Sequence, residues 1–274
     1  MSNNVIVIKP SKGWAAINFK DLWHYRELLY FLTWRDIKVR YKQTLIGAGW
    51  AILQPFFTMI VFTIFFGKMA KISSEGIPYP IFSYSGLLLW TYFSTAVTNS
   101  GNSLVGSSNL ITKVYFPRLI VPLSSSLAGI IDYFIALSIL IVMIFYYHIT
   151  VTPYLLLLPV LLFIAFIAAT GLGLWLSAMN VKYRDIRYAI PFLIQVWMFV
   201  SPVIYPVSLV HGNYQWLLAL NPMGGVIHAY RASLLGHQPI DWSLLGLSTL
   251  IILALFLGGL YYFRRMEKVF ADVV

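Results

Sequence analysis

Residues 119–147 have the sequence LIVPLSSSLAGIIDYFIALSILIVMIFYY, in which Asp132 is the only charged residue. About 20 helical residues cross the hydrocarbon core of a bilayer, so this run is long enough to span one. The stretch therefore predicts a membrane-spanning helix, and the rest of the chain can be interpreted around it.

Five further apolar runs carry no charged residue and predict five more spans. The six predicted spans cover roughly residues 51–67, 81–105, 119–147, 153–179, 189–205 and 244–263. Because these runs are continuously apolar and do not alternate, they favour helices over a β-barrel. We therefore predict an all-α polytopic membrane protein with one transmembrane domain over residues 1–274. It comprises a tail (1–19), an amphipathic interface helix (20–43), a six-span bundle (51–263) and a second tail (264–274).

Basic residues outnumber acidic ones by nineteen to nine, giving a net charge of +10. A soluble nucleic-acid-binding protein would place such a charge on a water-exposed face, whereas here 59% of residues are hydrophobic and only 10% are charged. Sixteen of the nineteen basic residues lie in the segments that the six spans place on one side of the membrane. The positive-inside rule then predicts that both termini are cytoplasmic.

Motifs of common enzymes are missing from the sequence. It has no G-x-x-x-x-G-K-[ST] phosphate loop, no G-x-S-x-G elbow and no H-E-x-x-H zinc motif. It has no cysteine, and His211, His228 and His237 lack the spacing of metal ligands. We therefore expect a transport subunit without a metal or a cofactor of its own.

The segment 20–43 predicts a helix along the membrane surface. Its apolar residues recur every three or four positions, as in Leu22, Leu29, Trp34 and Tyr41, and its cations occupy another stripe. The alternative is a solvated basic segment held to anionic lipid. A break is expected near Gly47.

Two cytoplasmic loops, residues 107–118 and 179–187, are compact, aromatic and basic. They either anchor helix ends at the membrane or bind a soluble partner. On the outer side, residues 207–242 are too apolar for an ordinary loop and predict two short half-helices, separated at residues 221–225, that dip back into the membrane.

Polar residues within the spans are the informative ones there. Asp132 shares a helical face with Ser125, Gly129 and Ala136, and it faces either a water-filled path or a helix contact. The second span is too polar in its cytoplasmic half for contact with lipid, because it contains Thr98, Asn99, Asn102 and Ser103.

Four motifs then resemble one known family. Residues 33–50 (TWRDIKVRYKQTLIGAGW) with Gln54-Pro55 resemble the entry segment of permeases of polysaccharide-exporting ABC transporters of the ABC-2 type, which export O-antigen, capsule or teichoic acid. Residues 180–186 (NVKYRDI), 201–206 (SPVIYP) and 221–223 (NPM) are similar to later landmarks of that family, in the same order.

The resemblance implies a homodimeric permease in a bacterial plasma membrane that works with two copies of a separate ATPase, which binds ATP and magnesium. The expected cargo is a lipid-linked polysaccharide, with O-antigen first and capsule or teichoic acid as alternatives. A related exporter of a drug or small lipid, or a membrane-embedded glycan-processing enzyme, remains as a rival interpretation.

Four groups of site residues are expected on this basis. Those at the ATPase contact are Asn109, Lys113, Phe116, Arg118, Tyr183, Arg184 and Asp185. Those at the cytoplasmic entrance are Trp34, Arg35, Arg40 and Tyr41. Those along the translocation path are Phe62, Phe66, Phe192, Gln195 and Phe199. Those at the outer gate are Trp216, Asn221, Pro222 and Tyr230.

Overall fold

The computed structural model describes residues 19–42, 47–150, 152–210, 215–267 and 270. All regular structure in these residues is helical, which confirms the predicted all-α class. The α-helices are α1 (Phe19–His24), α2 (Arg26–Lys42), α3 (Gly49–Phe62), α4 (Tyr79–Gly106), α5 (Ser108–Lys113), α6 (Ile120–Tyr146), α7 (Leu158–Lys182), α8 (Ile186–Val200), α9 (Gln215–Leu220), α10 (Pro222–Leu235) and α11 (Trp242–Glu267). A π-helical segment (Thr63–Met69) continues α3, and 3-10 turns occur at Pro153–Leu157 and Val207–Leu209. Nearly all of the predicted first tail and most of the second lie outside the described residues.

Four helical segments in the described residues are long and apolar enough to cross a membrane: Gly49–Met69, Ile120–Tyr146, Pro153–Lys182 and Trp242–Glu267. The chain is therefore a multi-pass membrane protein. With 28 residues α4 is long enough as well, but its many hydroxyl and amide side chains make it less apolar. The 15 residues of α8 extend only about 22 Å at 1.5 Å per residue, which is short of the hydrocarbon thickness. The count of six spans stays a prediction.

The central helix is α4, since 19 of its 28 residues are buried. It packs against α3, α6, α7, α8 and α10. The hydroxyl of Tyr84, for example, donates a hydrogen bond of 3.0 Å to the carbonyl of Ala136 in α6. Protein therefore surrounds most of α4, while several of its polar side chains, among them Thr91, Thr98 and Asn99, stay partly exposed.

Small residues allow α7 to approach its neighbours closely. A Cβ added to Gly173 would lie 2.2 Å from the Ser100 hydroxyl oxygen in α4, and one added to Gly171 would lie 2.8 Å from Cα of Phe256 in α11. Such contacts are typical of packed membrane helices.

A second apolar core gathers the ends of several helices at one end of the bundle. It contains Leu104 from the end of α4, Ile120 from the start of α6, Val181 from the end of α7 and Phe263 from the end of α11. Leu32 of α2 belongs to the same core. The two basic loops therefore lie at the same end of the bundle as the C-terminal arginines, as the charge distribution predicted.

Two short helices, α9 and α10, flank Asn221 where the sequence predicted a break. Of the 14 residues of α10, 13 are buried, and the helix packs against α4, α7 and α11. Protein thus covers the interrupted backbone. At the other predicted break, Gly47 has φ of +51° between the end of α2 and the start of α3, a value that glycine adopts at little cost.

Candidate functional site

A polar groove of about 390 Å³ opens on one side of the bundle, between α3, α4 and α8. Its lining residues are Gln54, Thr58, Leu87, Trp90, Thr91, Ser94, Thr95, Thr98, Asn99, Pro191, Ile194, Gln195 and Met198. The sequence had singled out Thr98, Asn99 and Gln195. Thr91, Ser94 and Thr95 were not predicted from the sequence. They lie seven, four and three residues before Thr98, so all four share one face of α4.

Three hydroxyl groups in this wall donate to carbonyls of their own helices. Thr98 donates to the carbonyl of Ser94 at 2.8 Å, Ser94 donates to that of Thr91 at 3.1 Å, and Thr58 donates to that of Gln54 at 2.8 Å. This local bonding uses the hydroxyl proton and leaves lone pairs on the oxygen. These hydroxyl oxygens therefore present acceptors to whatever occupies the groove, beside the amide groups of the asparagine and the two glutamines in its lining.

Two exposed aromatic rings lie on α8 next to the groove wall. Phe192, Gln195 and Phe199 follow one another at intervals of three and four residues and so share a helical face. Phe192 is 67% exposed and Phe199 is 50% exposed in the single chain. Of the five predicted path residues, Gln195 therefore lines the groove, and Phe192 and Phe199 lie outside its lining on the same helix.

The other two predicted path residues lie elsewhere. Phe62 is only 7% exposed, and its ring packs edge-on against that of Phe66 at 5.4 Å between centroids. Both rings belong to or pack against the main apolar core. Helical spacing alone does not indicate which face of α3 meets the other helices.

The start of α10 is fixed by the Asn221 side chain. Its Oδ1 accepts hydrogen bonds from the Met223 backbone amide at 3.0 Å and from the Trp197 indole at 3.1 Å. Its Nδ2 donates to the Ser201 hydroxyl at 2.9 Å. Asn221 therefore caps α10 and ties it to the end of α8, while Pro222 occupies the first turn, where proline fits well.

Arg231 and Tyr230 are buried in α10. The Arg231 guanidinium donates to the carbonyl of Val203 at 2.9 Å and stacks on the ring of Phe82 at 3.8 Å. The Tyr230 hydroxyl pairs with that of Tyr133 in α6. Of the predicted gate residues, Asn221, Pro222 and Tyr230 thus lie inside the protein, and the side chain of Trp216 lies outside the described residues.

The predicted contact residues of the two basic loops fall into two groups. Asn109, Lys113, Tyr183, Arg184 and Asp185 are exposed. Phe116 is buried in the second core, and Arg118 contacts the end of α11, where its guanidinium bonds the carbonyl of Glu267 and lies 5.9 Å from the ring of Phe270. Phe116 and Arg118 therefore hold the first loop, residues 107–118, in place through contacts with the second core and with the end of α11.

The predicted entrance residues all lie in α2. Trp34 is 46% exposed, and Arg35 pairs with Asp36 at 2.8 Å. Arg40 and Tyr41 both donate hydrogen bonds to the carboxylate of Asp132 in α6. A lone aspartate costs about 3 kcal/mol at the centre of a membrane helix, so this pairing removes a substantial penalty. Of the two roles that the sequence left open for Asp132, the structure shows a helix contact.

Within the described residues, no three histidine, aspartate or glutamate side chains gather as a metal site would require.

A sequence model of the ABC-2 type transporter family matches residues 27–235. The chain is 30% identical to the O-antigen export system permease protein of Myxococcus xanthus, over 93% of this chain and 98% of that protein. It is 24% identical to a protein of the same description from Klebsiella pneumoniae, over 90% and 95% of the two chains. It is 25% identical to the polysialic acid transport protein of Escherichia coli, over 85% and 91%.

Proposed function

The chain belongs to the ABC-2 type transporter family, and from this premise we propose that it is the membrane-spanning subunit of an ATP-driven polysaccharide exporter. The names of its relatives, which cover O-antigen and polysialic acid, support a polysaccharide as the cargo. Near-complete coverage of the O-antigen permeases makes O-antigen the first expectation, with capsule or teichoic acid next. The chain acts as a permease, and because it lacks a phosphate loop, hydrolysis of ATP with magnesium belongs to a partner.

The observation that carries the proposal is the groove with its polar side chains, together with the exposed aromatic rings on the same helix α8. A glycan presents many hydroxyl groups and apolar ring faces. The acceptor-rich wall of α4 offers weak hydrogen bonds to the hydroxyl groups, and Phe192 and Phe199 offer flat surfaces for the sugar rings. Such a lining holds each sugar loosely enough to let it move on.

A single copy leaves the groove open to one side, so the path is completed by a second copy of the chain. The exposed apolar residues beside the groove on α3 and α8 support this arrangement. They are Phe57 and Val61 of α3, Phe65 of the π-helical segment that continues it, and Val196 of α8. Two grooves facing each other across a two-fold axis would enclose a continuous path.

Two ATP-binding-cassette subunits bind the end of the bundle that carries the basic loops. The exposed side chains of Asn109, Lys113, Tyr183, Arg184 and Asp185 supply the contact. Phe116 and Arg118 hold the first loop in shape for it.

This end faces the cytoplasm, so both termini are cytoplasmic and the chain crosses the bacterial plasma membrane six times. Under this topology α4 and α8 complete the six spans. The helices α9 and α10 lie in the outer leaflet as the gate, with Trp216, Asn221, Pro222 and Tyr230. Trp34, Arg35, Arg40 and Tyr41 form the entrance, which follows α2 from the cytoplasmic end to the level of Asp132 in the middle of α6.

The proposal is tested by deleting the gene in its own host. Loss of polysaccharide from the cell surface, with lipid-linked polymer accumulating inside, is the expected result. Purified chain alone should hydrolyse no ATP, and hydrolysis should appear once the ATPase subunit is added. Unchanged surface polysaccharide in the deletion strain would refute the assignment.

A further inference from the structure

Asp132 interrupts the apolar stretch of α6, and it is contacted by the end of α2. The donors to its carboxylate, Arg40 and Tyr41, are consecutive residues in the last turn of that helix. The cluster's neighbours in the sequence include exposed apolar side chains: Val39 is 71% exposed, Ile131 39% and Phe134 56%. In such apolar surroundings, a charge-assisted hydrogen bond is stronger than it would be in water.

The cluster is the last of three contacts between α2 and the region of α6. Leu32 packs in the second core beside the start of α6, the carboxylate of Asp36 accepts a hydrogen bond from Ser125 at 3.3 Å, and Arg40 reaches Asp132. Residues 32, 36 and 40 are four apart and therefore share one face of α2. The two helices thus lie side by side and run in the same direction.

Among the residues that the structure describes, the opposite face of α2 has no such partners. Tyr30 is 71% exposed, Phe31 63% and Trp34 46%. Lys38 lies over the ring of Trp34 at 5.5 Å. One face of α2 is thus fixed to α6, and the other presents aromatic and basic side chains to the surroundings.

We propose that Asp132 is a positioning residue that anchors the end of α2 to α6 through Arg40 and Tyr41. By fixing this end, Asp132 holds the exposed face of α2 at the place where the substrate enters. This role in substrate entry rests on the proposed function. The anchoring itself does not depend on what the protein transports.

The test uses the fact that the chain contains no cysteine. Asp36→Cys with Ser125→Cys places two thiols at the middle contact. Disulfide formation under mild oxidation, counted by mass-tagged maleimide after denaturation, then reports how closely α2 lies to α6. The measurement is made in membranes that contain this chain alone, so it is independent of the ATPase and of the polymer.

Asp132→Asn and Arg40→Gln should each slow disulfide formation by about tenfold, as expected for loss of one charge-assisted hydrogen bond. Tyr41→Phe should slow it less, because the Arg40 contact remains. Disulfide formation should be slowest in Asp132→Arg alone, because two arginines then face each other. The swap Arg40→Asp with Asp132→Arg pairs opposite charges again and should restore most of the rate. Glu27→Gln, which removes an exposed carboxylate at the start of α2, should have no effect on the rate.

Unchanged rates in Asp132→Asn and Arg40→Gln would overturn the anchoring. The anchoring would also be overturned if Asp132→Asn and Arg40→Gln form the disulfide slowly and the swap does not restore the rate. The effect would then come from the change of each single charge and not from the loss of the pair. Export is measured next, at equal amounts of protein and in chains without the added cysteines. Export that falls in Asp132→Asn and recovers in the swap supports the positioning role. Normal export with a detached α2 refutes that role, while the proposed function stands.

Discussion

The hydroxyl groups of Tyr133 and Tyr230 lie 2.7 Å apart in a buried contact between α6 and α10. The ring of Tyr133 also packs edge-on against that of Tyr92 in α4, at 6.2 Å between centroids. The pair thus connects a long apolar helix to the short helix proposed for the outer gate.

Replacing either tyrosine of this pair by phenylalanine should lower the free energy of unfolding. Tyr133→Phe or Tyr230→Phe removes the hydrogen bond and leaves the remaining hydroxyl buried without its partner. A double-mutant cycle should give a coupling of about 0.6–1.7 kcal/mol, the range measured between membrane helices. The measurement is thermal or denaturant unfolding of the purified protein in detergent. Additive effects of the two substitutions would show that the hydroxyl groups do not interact.

Phe192→Ala and Phe199→Ala should reduce export without reducing the amount of folded protein. Both rings are half or more exposed in the single chain, so their removal opens no cavity in its core. Surface polysaccharide and membrane abundance are measured together. Phe145→Ala on α6, where the ring is 75% exposed, is the matched control and should export normally. Equal export by all three variants would contradict a role for α8 in the path.

Phe62→Ala should behave differently, because its ring is buried. Truncating a well-packed phenylalanine costs about 3–5 kcal/mol, so this variant should unfold at lower temperature and accumulate less. If Phe62→Ala keeps its abundance and stability but loses export, Phe62 lines the translocation path as the sequence predicted.

Gly86→Ala should reproduce the effect of removing Arg231. A Cβ on Gly86 would lie 2.5 Å from Nη2 of Arg231 and 3.2 Å from the carbonyl oxygen of Val203. The guanidinium would have to leave that carbonyl, which would free the turn after α8. A single cysteine replacing Val203, which is fully buried, should then react faster with maleimide in Gly86→Ala and in Arg231→Met. Gly106→Ala at the end of α4, where nothing lies within 4 Å, should leave the rate unchanged. Slow reaction in all variants would mean that Arg231 does not hold the turn.

Lys113→Glu combined with Arg184→Glu should abolish co-purification of the ATPase subunit. Both cations are exposed on the two loops at the same end of the bundle, so their reversal changes the contact without opening the core. Arg265→Glu is the control, because it is an exposed cation of the same end outside both loops. Full recovery of the ATPase with the double variant would exclude these loops as its binding site.

Much of this fold follows from simple patterns in the sequence. Charge-free runs predicted the long helices, and the Asn221-Pro222 pair marked the break between α9 and α10. The side on which a helix packs was harder to predict, as Phe62 shows. The partner of Asp132 lies 92 positions earlier in the chain, at Arg40, so no local spacing indicated the pair. A carboxylate inside the membrane needs a cation as its partner, and this need could have indicated the pair. Arg40 and its neighbours in the same basic segment were the candidate partners of Asp132.

Ser94 and Thr98 in the groove wall donate back to their own helix, and this has a consequence for which polymers the exporter accepts. The lone pairs that remain on such hydroxyl oxygens meet a sugar hydroxyl equally well from several directions, so these groups discriminate poorly between one stereoisomer and another. Selectivity then has to arise where the carrier lipid and the chain end are recognised, and the passage itself is permissive. A foreign glycan on the host's own carrier lipid should therefore reach the cell surface through this exporter, and staining with a lectin specific for that glycan would detect it.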